Sequence, residues 1–424
     1  MSAELAIAKQ IKSYGMRLIE DTKFDAENMI DASDDVINSG IVLPTGSIIS
    51  IPYYNKENAV LKVDVSSETF IFPDDFSTTG SDQSFGNDVA ISDNYYVVGA
   101  YEENSVSGSA GGAYVYNIEA GTHIKLLGSN IHNGSSFGRS VACTDTKVLV
   151  GANSQDVPIS NGGSAYLYNI DGSNEQIITP SDITNFHQFG ISCSMSENKM
   201  VIGADRSDTN LGSAYIYNID GTNEIKLLGE GGNFGYSVAN TDTKVIVGAP
   251  TAAGPLGVEG GVCYIYDIDG TNKITLNVPP GTYTNLDEIG KSVAINDEFA
   301  FIGNPGRNEV YIYTLQGIFI NTITPSDMQN ASRFGYEISV SDNNIIVGDF
   351  AQNIIGGQDG AVYLYNIDGT NEQKIIPTIN VTSGAQFGAS VAANSNTLII
   401  GANRNNTHND GDGAAYKYDL KYTF

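Results

Sequence analysis

The side chains that could do chemistry are few and scattered. Four histidines, His123, His132, His187 and His408, form no His-x-x-x-His pair, and no Gly-x-Ser-x-Gly elbow accompanies them. Three cysteines, Cys143, Cys193 and Cys263, make neither an even disulfide set nor a Cys-x-x-Cys pair, and read as small apolar packing residues. Carboxylates are plentiful, 49 against 21 Lys and Arg. A glycosidase-like pair could therefore converge in space without leaving any spacing signature. The acidic loop "NNTHNDGDGAA" at 405–415 offers Asp410 and Asp412 as candidate calcium ligands, beside the plainer reading of an exposed Asn/Asp/Gly turn.

A second acidic pattern recurs. "SAYIYNIDGTNEIKLLG" at 213–229 has close copies at 164–179, 262–277 and 361–376. Its Asp-Gly supplies the positive-φ geometry of a tight hairpin between two alternating apolar runs. It lacks the three alternating oxygen ligands ahead of a glycine that a calcium loop needs. The expected role is a turn, and no cofactor is expected.

The elements that carry these residues repeat as well. Seven segments open on one phrase: "FGNDVAI" at Phe85, "FGRSVAC" at Phe137, "FGISCSM" at Phe189, "FGYSVAN" at Phe234, "IGKSVAI" at Ile289, "FGYEISV" at Phe334 and "FGASVAA" at Phe387. Their spacing of about 50 residues is that of propeller blades. Each unit offers four short strands, small residues in the first and tyrosines in the third, which is the taper of a blade. The expected fold is all-β: a seven-bladed β-propeller of four-stranded antiparallel blades over residues 68–424. A helical arm over 1–38 and an extended linker over 39–67 precede it. "ETFIFPDD" at 68–75 matches "EQIITPSD" at 175–182, so a strand near 69–72 is expected to complete the C-terminal blade and close the ring.

The run "FGYSVANTDTKVIVGAP" at 234–250 resembles the FG-GAP repeat of integrin-type propellers, and the likeness recurs in every unit, degrading at 289–305. The resemblance implies adhesion, scaffolding or recognition rather than catalysis. Many FG-GAP units carry an Asp-x-Asp-x-Asp-Gly calcium loop, but here the same interval is only "TDTK" at 144–147 and 241–244, so those ligands do not carry over. Kelch and WD units are set aside because the chain has no Trp.

In up-and-down blades the loops between strands two and three share one face with the blade-to-blade connections. These loops are the long, dissimilar ones, and binding-face candidates on them are Glu102, Glu103, Asp156, Arg206, Asp208, Glu259, Gln358 and Asp359. In the arm, Leu5, Ile11, Leu18 and Ile19 fall on one helical face suited to assembly with copies of the chain or with other proteins.

A formal net charge of −28 disfavours nucleic acid and anionic lipid. No apolar run is long enough to span a membrane, and the opening residues do not read as a signal peptide. The reading that joins these features is a non-enzymatic component of a bacteriophage particle, assembled in the host cytoplasm, meeting a host-surface receptor or glycan or a neighbouring virion protein. The alternatives are an adhesion or scaffold propeller exported by an unconventional route, and a glycan-active enzyme. The last requires two acidic residues facing one pocket.

Overall fold

The computed structural model describes residues 40–42, 48–50 and 60–423, apart from short stretches at 75, 77–82, 105, 107, 157–158, 208–210, 254–258, 277–283, 285–286, 330, 342–343, 381 and 408–410. Two units are distinguished, residues 1–59 and Val60–Thr423. In the first, Gly40–Val42 pairs antiparallel with Ile48–Ser50. The arm helix expected over 1–38, with Leu5, Ile11, Leu18 and Ile19, lies outside the described residues.

The second unit is a seven-bladed propeller of seven four-stranded antiparallel sheets, six of them running through the chain in simple order. Blade 2 is representative: Phe137–Cys143, Lys147–Ala152, Ser164–Asn169 and Gln176–Ile178, from axis to rim. Blade 7 is composite. Phe387–Ala393, Thr397–Ala402 and Ala414–Thr423 are completed by Val60–Ile71, which pairs antiparallel with the last strand. The chain thereby closes on itself, and the sheet edge that would otherwise be open is covered.

The repeated phrase has a physical reason at each letter. Its Phe is buried in six blades, with Ile289 at the same place in blade 5. Each Phe packs against the first tyrosine of its own third strand, as in Phe137 with Tyr166 at 5.1 Å between ring centroids, edge to face. The Gly that follows takes positive φ, +89° at Gly138, where a side chain would be strained. It also approaches the next sheet closely. The carbonyl of Gly138 lies where a Cβ on Gly99 would fall, and the same glycine-to-glycine approach joins Gly401 of blade 7 to Gly86 of blade 1. Bulkier residues would hold neighbouring blades apart.

The Asp-Gly-Thr-Asn copies are hairpin turns. Asp220 Oδ1 accepts the N–H and the hydroxyl of Thr222, at 3.0 and 2.6 Å, and the same pair of bonds occurs at Asp171, Asp269 and Asp368. The Ser173 and Thr222 hydroxyls hold the Asp171 and Asp220 carboxyls below their ordinary range. Just beyond three of these turns a glutamate, Glu175, Glu224 or Glu372, staples adjacent blades, while after Asp269 the residue is Lys273, paired with Glu230. Glu224 accepts from Tyr217 Oη at 2.9 Å in its own blade and from Ser181 Oγ at 2.6 Å in the blade before. Glu68 does the same for Thr378, so the strand from the N-terminal side carries the repeat's own fastening.

Candidate functional site

The first strands of all seven blades line the axis, and their opening residues form two stacked rings. The residue directly after Phe-Gly or Ile-Gly is Asn87, Arg139, Ile191, Tyr236, Lys291, Tyr336 or Ala389; the next is Asp88, Ser140, Ser192, Ser237, Ser292, Glu337 or Ser390. Both rings border an axial cavity of about 390 Å³. The five serines are structural. Each donates its hydroxyl to a glycine carbonyl of the next blade: Ser140 to Gly190 at 3.0 Å, Ser192 to Gly235 at 2.9 Å, Ser237 to Gly290 at 2.8 Å, Ser292 to Gly335 at 2.9 Å and Ser390 to Gly86 at 3.0 Å.

Blades 1 and 6 break this rule with carboxylates. Asp88 accepts the N–H of Val89 at 2.9 Å and that of Val141, in the next blade, at 2.7 Å. Burial pushes its carboxyl up to about 6, against the pull of those two N–H groups and of Arg139. Burial also pushes Glu337 up, to about 8, with the charge of Asp88 adding to the rise. Both carboxyls border the same cavity.

The outer ring supplies the opposite charge. Lys291 Nζ donates to Tyr236 Oη at 2.7 Å and lies 4.3 Å from the Tyr236 ring centroid and 5.3 Å from that of Tyr336. Burial works against the Lys291 charge, but the two phenols and Glu288 outweigh it and hold its ammonium above its ordinary value. Arg139 donates to Asn87 Oδ1 at 3.2 Å and lies over the ring of Tyr101 at 5.1 Å. Cys143 and Cys193 also line the cavity, and burial pushes both thiols up to about 12, which makes them inert packing groups.

The other mouth of the axis is different in kind. A cavity of about 490 Å³ there is lined by Asp93, Asp145, Glu197, Asp242 and Asp297. Asp145 is tied to Asn94, and Asp242 to Ser196 and Asn198. Among the described residues, no group of three or more His, Cys, Asp or Glu side chains is placed to hold a metal ion.

The loop-face residues divide. Glu103 is buried under its loop, where it accepts from Tyr114 Oη at 2.9 Å and from Lys125 Nζ at 2.5 Å. Gln155, Gln352 and Asn405 meet the equivalent tyrosines of blades 2, 6 and 7, so Glu103 occupies a scaffold position. Asp359 organises its own loop, accepting N–H groups from Ile354, Ile355, Gly356 and Gly384. Burial works to raise its carboxyl, and those N–H groups hold it below the ordinary range. Glu102 is half-buried and accepts from Ser84 at 2.8 Å; Gln358 is exposed. Arg206 and Glu259 are exposed, and so is Asp156, whose Oδ1 accepts the Asn161 N–H at 2.7 Å. Asp208 and Asp410 lie outside the described residues, and Asp412 is buried with its carbonyl accepting the Phe85 N–H at 2.9 Å.

Replacing Asp359 by Ala removes the acceptor for four N–H groups and is expected to cost about 2 kcal/mol. Proteinase K cutting at Ile354–Ile355 should rise ahead of any global unfolding; unchanged cleavage and melting would refute the role.

The described histidines are likewise structural. His187 is buried against Tyr215 Oη at 2.9 Å, His132 accepts the Asp156 N–H at 3.2 Å, and His123 packs on Tyr114 and Tyr116. Two acidic residues that sequence reading did not single out, Asp88 and Glu337, line one cavity, and both Asp88 oxygens are taken up by backbone N–H groups. The signal was present: "FGND" and "FGYE" replace the serine kept by the other five phrases.

Comparison with known proteins matches the FG-GAP repeat over residues 72–116, 122–168, 173–217, 319–365 and 370–418. These segments correspond to most of five blades and more than half of the chain. No curated protein matches. Among solved structures, "Crystal structure of Nidogen/Laminin Complex" contains a similar chain at 12% identity, covering 62% of this chain and 90% of that one, with a TM-score of 0.42. A likeness that distant carries no argument about function.

Proposed function

The chain belongs to the FG-GAP repeat family, and from that premise we propose that it is a non-enzymatic recognition propeller, binding partners through the face that carries the long loops. The observation that carries this reading is the contrast between copies. The Phe-Gly, Ser and Asp-Gly positions repeat because the scaffold needs them, while the loops 101–111, 153–162, 205–212, 250–260 and 350–360 differ in sequence and present Asp156, Arg206 and Glu259 to solvent.

The finer form of the reading is a component of a bacteriophage particle. Residues 1–38 attach it to other virion proteins or to copies of itself through Leu5, Ile11, Leu18 and Ile19, and the loop face meets the host surface. This form is supported by the helical spacing of those four residues, by the acidic composition and by the adhesion character of the repeat. An exported adhesion or scaffold propeller is the rival. Light scattering of the full chain and of a chain beginning at residue 56 tests the arm. A defined oligomer that becomes monomeric on truncation is expected. Two monomers would remove the assembly role, and absence of the intact protein from purified particles would remove the virion role.

A further inference from the structure

We infer that Phe186, on the connection from blade 2 to blade 3, is the anchor by which the loop face holds a protein partner, its ring entering an apolar socket with a basic rim. The inference rests on the recognition reading above and names its point of contact. It starts from equivalent positions in the repeat. Three residues before the Phe of the repeated phrase, blades 2 and 7 carry Gly134 and Gly384, at φ +81° and +78°. Blade 3 carries Phe186 at that place, with φ +61°. Bonds confirm the equivalence: the Gly134 N–H donates to the Gly108 carbonyl and the Phe186 N–H to the Ser160 carbonyl, both at 3.0 Å. A bulky side chain is strained in that backbone region, where glycine is not. Packing offers no compensation. A Cβ placed on Gly134 or Gly384 meets no described atom within 4 Å, so the position opens outward, and Phe186 is 58% exposed there. Strain kept at an exposed aromatic that the scaffold does not need points to a role outside the fold.

The turn beneath the ring is fixed. The His187 N–H donates to the Thr184 carbonyl and the Gln188 N–H to the Asn161 carbonyl, each at 3.3 Å, while His187 Nδ1 accepts the Thr184 N–H at 3.1 Å. The ring therefore stands on a preorganised base and loses little freedom on contact. The same bonds select the partner. The polar groups of the turn are engaged within the protein, and a Phe has no polar handle of its own with which to read sugar hydroxyls. A bare ring on a satisfied turn matches an apolar socket in another protein. Charge sets the rim. Asp156 is exposed and bonded to Asn161, next to the Ser160 that holds Phe186, while Asp182 is already paired with Lys226. With a formal net charge of −28 behind it, Asp156 favours a basic neighbour on the partner.

The repeat supplies the control variant. Short random peptides are displayed and selected on the immobilised full-length chain, and the selected peptides are titrated calorimetrically. They should combine apolar residues with Lys or Arg and bind at one site per chain. Phe186→Gly installs the residue of blades 2 and 7, so its melting temperature should equal or exceed the parent's, while the peptides weaken roughly tenfold or more. Phe186→Ala keeps a side chain at positive φ, and should weaken them as much without any gain in melting temperature. Asp156→Asn should weaken them by less, and by least at high salt. Peptides that respond to Arg206→Ala or Glu259→Ala but to neither Phe186 variant would overturn the anchor and leave the loop face as the binding surface. Peptides indifferent to all of these changes, or none selected by folded protein, would overturn both. Selection of acidic peptides would overturn the basic rim, and a Phe186→Gly melting temperature several degrees below the parent's would return the ring to the scaffold.

Discussion

A chain lacking residues 1–72 will melt roughly 10 °C or more below the full chain, or will fail to fold. The strand it loses, Val60–Ile71, is the outer strand of blade 7, paired with Ala414–Thr423 at eight positions. Leu61 and Ile71 are buried in it, and Phe70 packs edge to face on Tyr416 at 5.4 Å. Burying an aliphatic side chain of that size contributes about 1.5–3 kcal/mol, before the ladder bonds and the ring contact are added. The strand also ties blade 7 back to blade 6, because the Leu61 carbonyl accepts from Gln373 and Glu68 accepts the Thr378 N–H at 2.8 Å. Together these contacts amount to about 8 kcal/mol or more, which in a domain of this size corresponds to a fall of about 10 °C in melting temperature. The truncated chain would in addition expose a new edge beside Tyr416 and Tyr418, so aggregation on heating should rise. Scanning calorimetry with light-scattering detection checks both, and an unchanged melting temperature without added aggregation would refute the clasp.

The parts of this molecule that could be read from its letters are those where one physical demand recurs. The Phe-Gly phrase marks a buried ring and a positive-φ glycine pressed against the next blade. That demand is the same at Phe137 and Phe387, so the letters are the same. The Asp-Gly turns were legible for the same reason, since the side chain of Asp220 serves its own turn. What could not be read was placement across blades. Asp88 and Glu337 stand far apart in the chain and line one cavity only because closure brings blades 1 and 6 to one axis. Glu103 and Asp359 resembled free loop acids, but the tyrosine and the backbone N–H groups that occupy them come from strands and turns that spacing along the chain does not reveal. The extent of the closing strand was hidden too: its first half, "VLKVDVSSE", does not match the outer strands of the other blades, and it pairs because the C-terminal strand runs on to Thr423.

The axial carboxylates should make the propeller less stable as pH rises from about 4.5 to 8. The folded pKa of Glu337 is raised to about 8 from an ordinary 4.5, and that of Asp88 to about 6 from 3.8. The folded state therefore binds protons that the unfolded state has released. Stability from these groups is fully present below the unfolded values and is lost as pH climbs through the folded ones. One bound proton changes stability by about 1.4 kcal/mol per pH unit. Both side chains are largely buried but keep some contact with the channel, so solvent screening reduces the full effect to about 2 kcal/mol. The groups facing Glu337 act in both directions, Asp88 raising its pKa and Lys291 lowering it. Carboxyls held low elsewhere, such as Asp171 and Asp242, contribute the opposite slope, but only at lower pH, as they become protonated. Glu337→Ser should accordingly flatten the profile. Its melting temperature should exceed the parent's by several degrees at pH 8, where the parent carries a buried charge. At pH 4.5 the two should nearly coincide, since the parent's carboxyl is then protonated. Parallel melting curves for parent and variant across that interval would mean that Glu337 titrates like an ordinary surface acid, and that the blade 6 carboxylate costs the scaffold nothing.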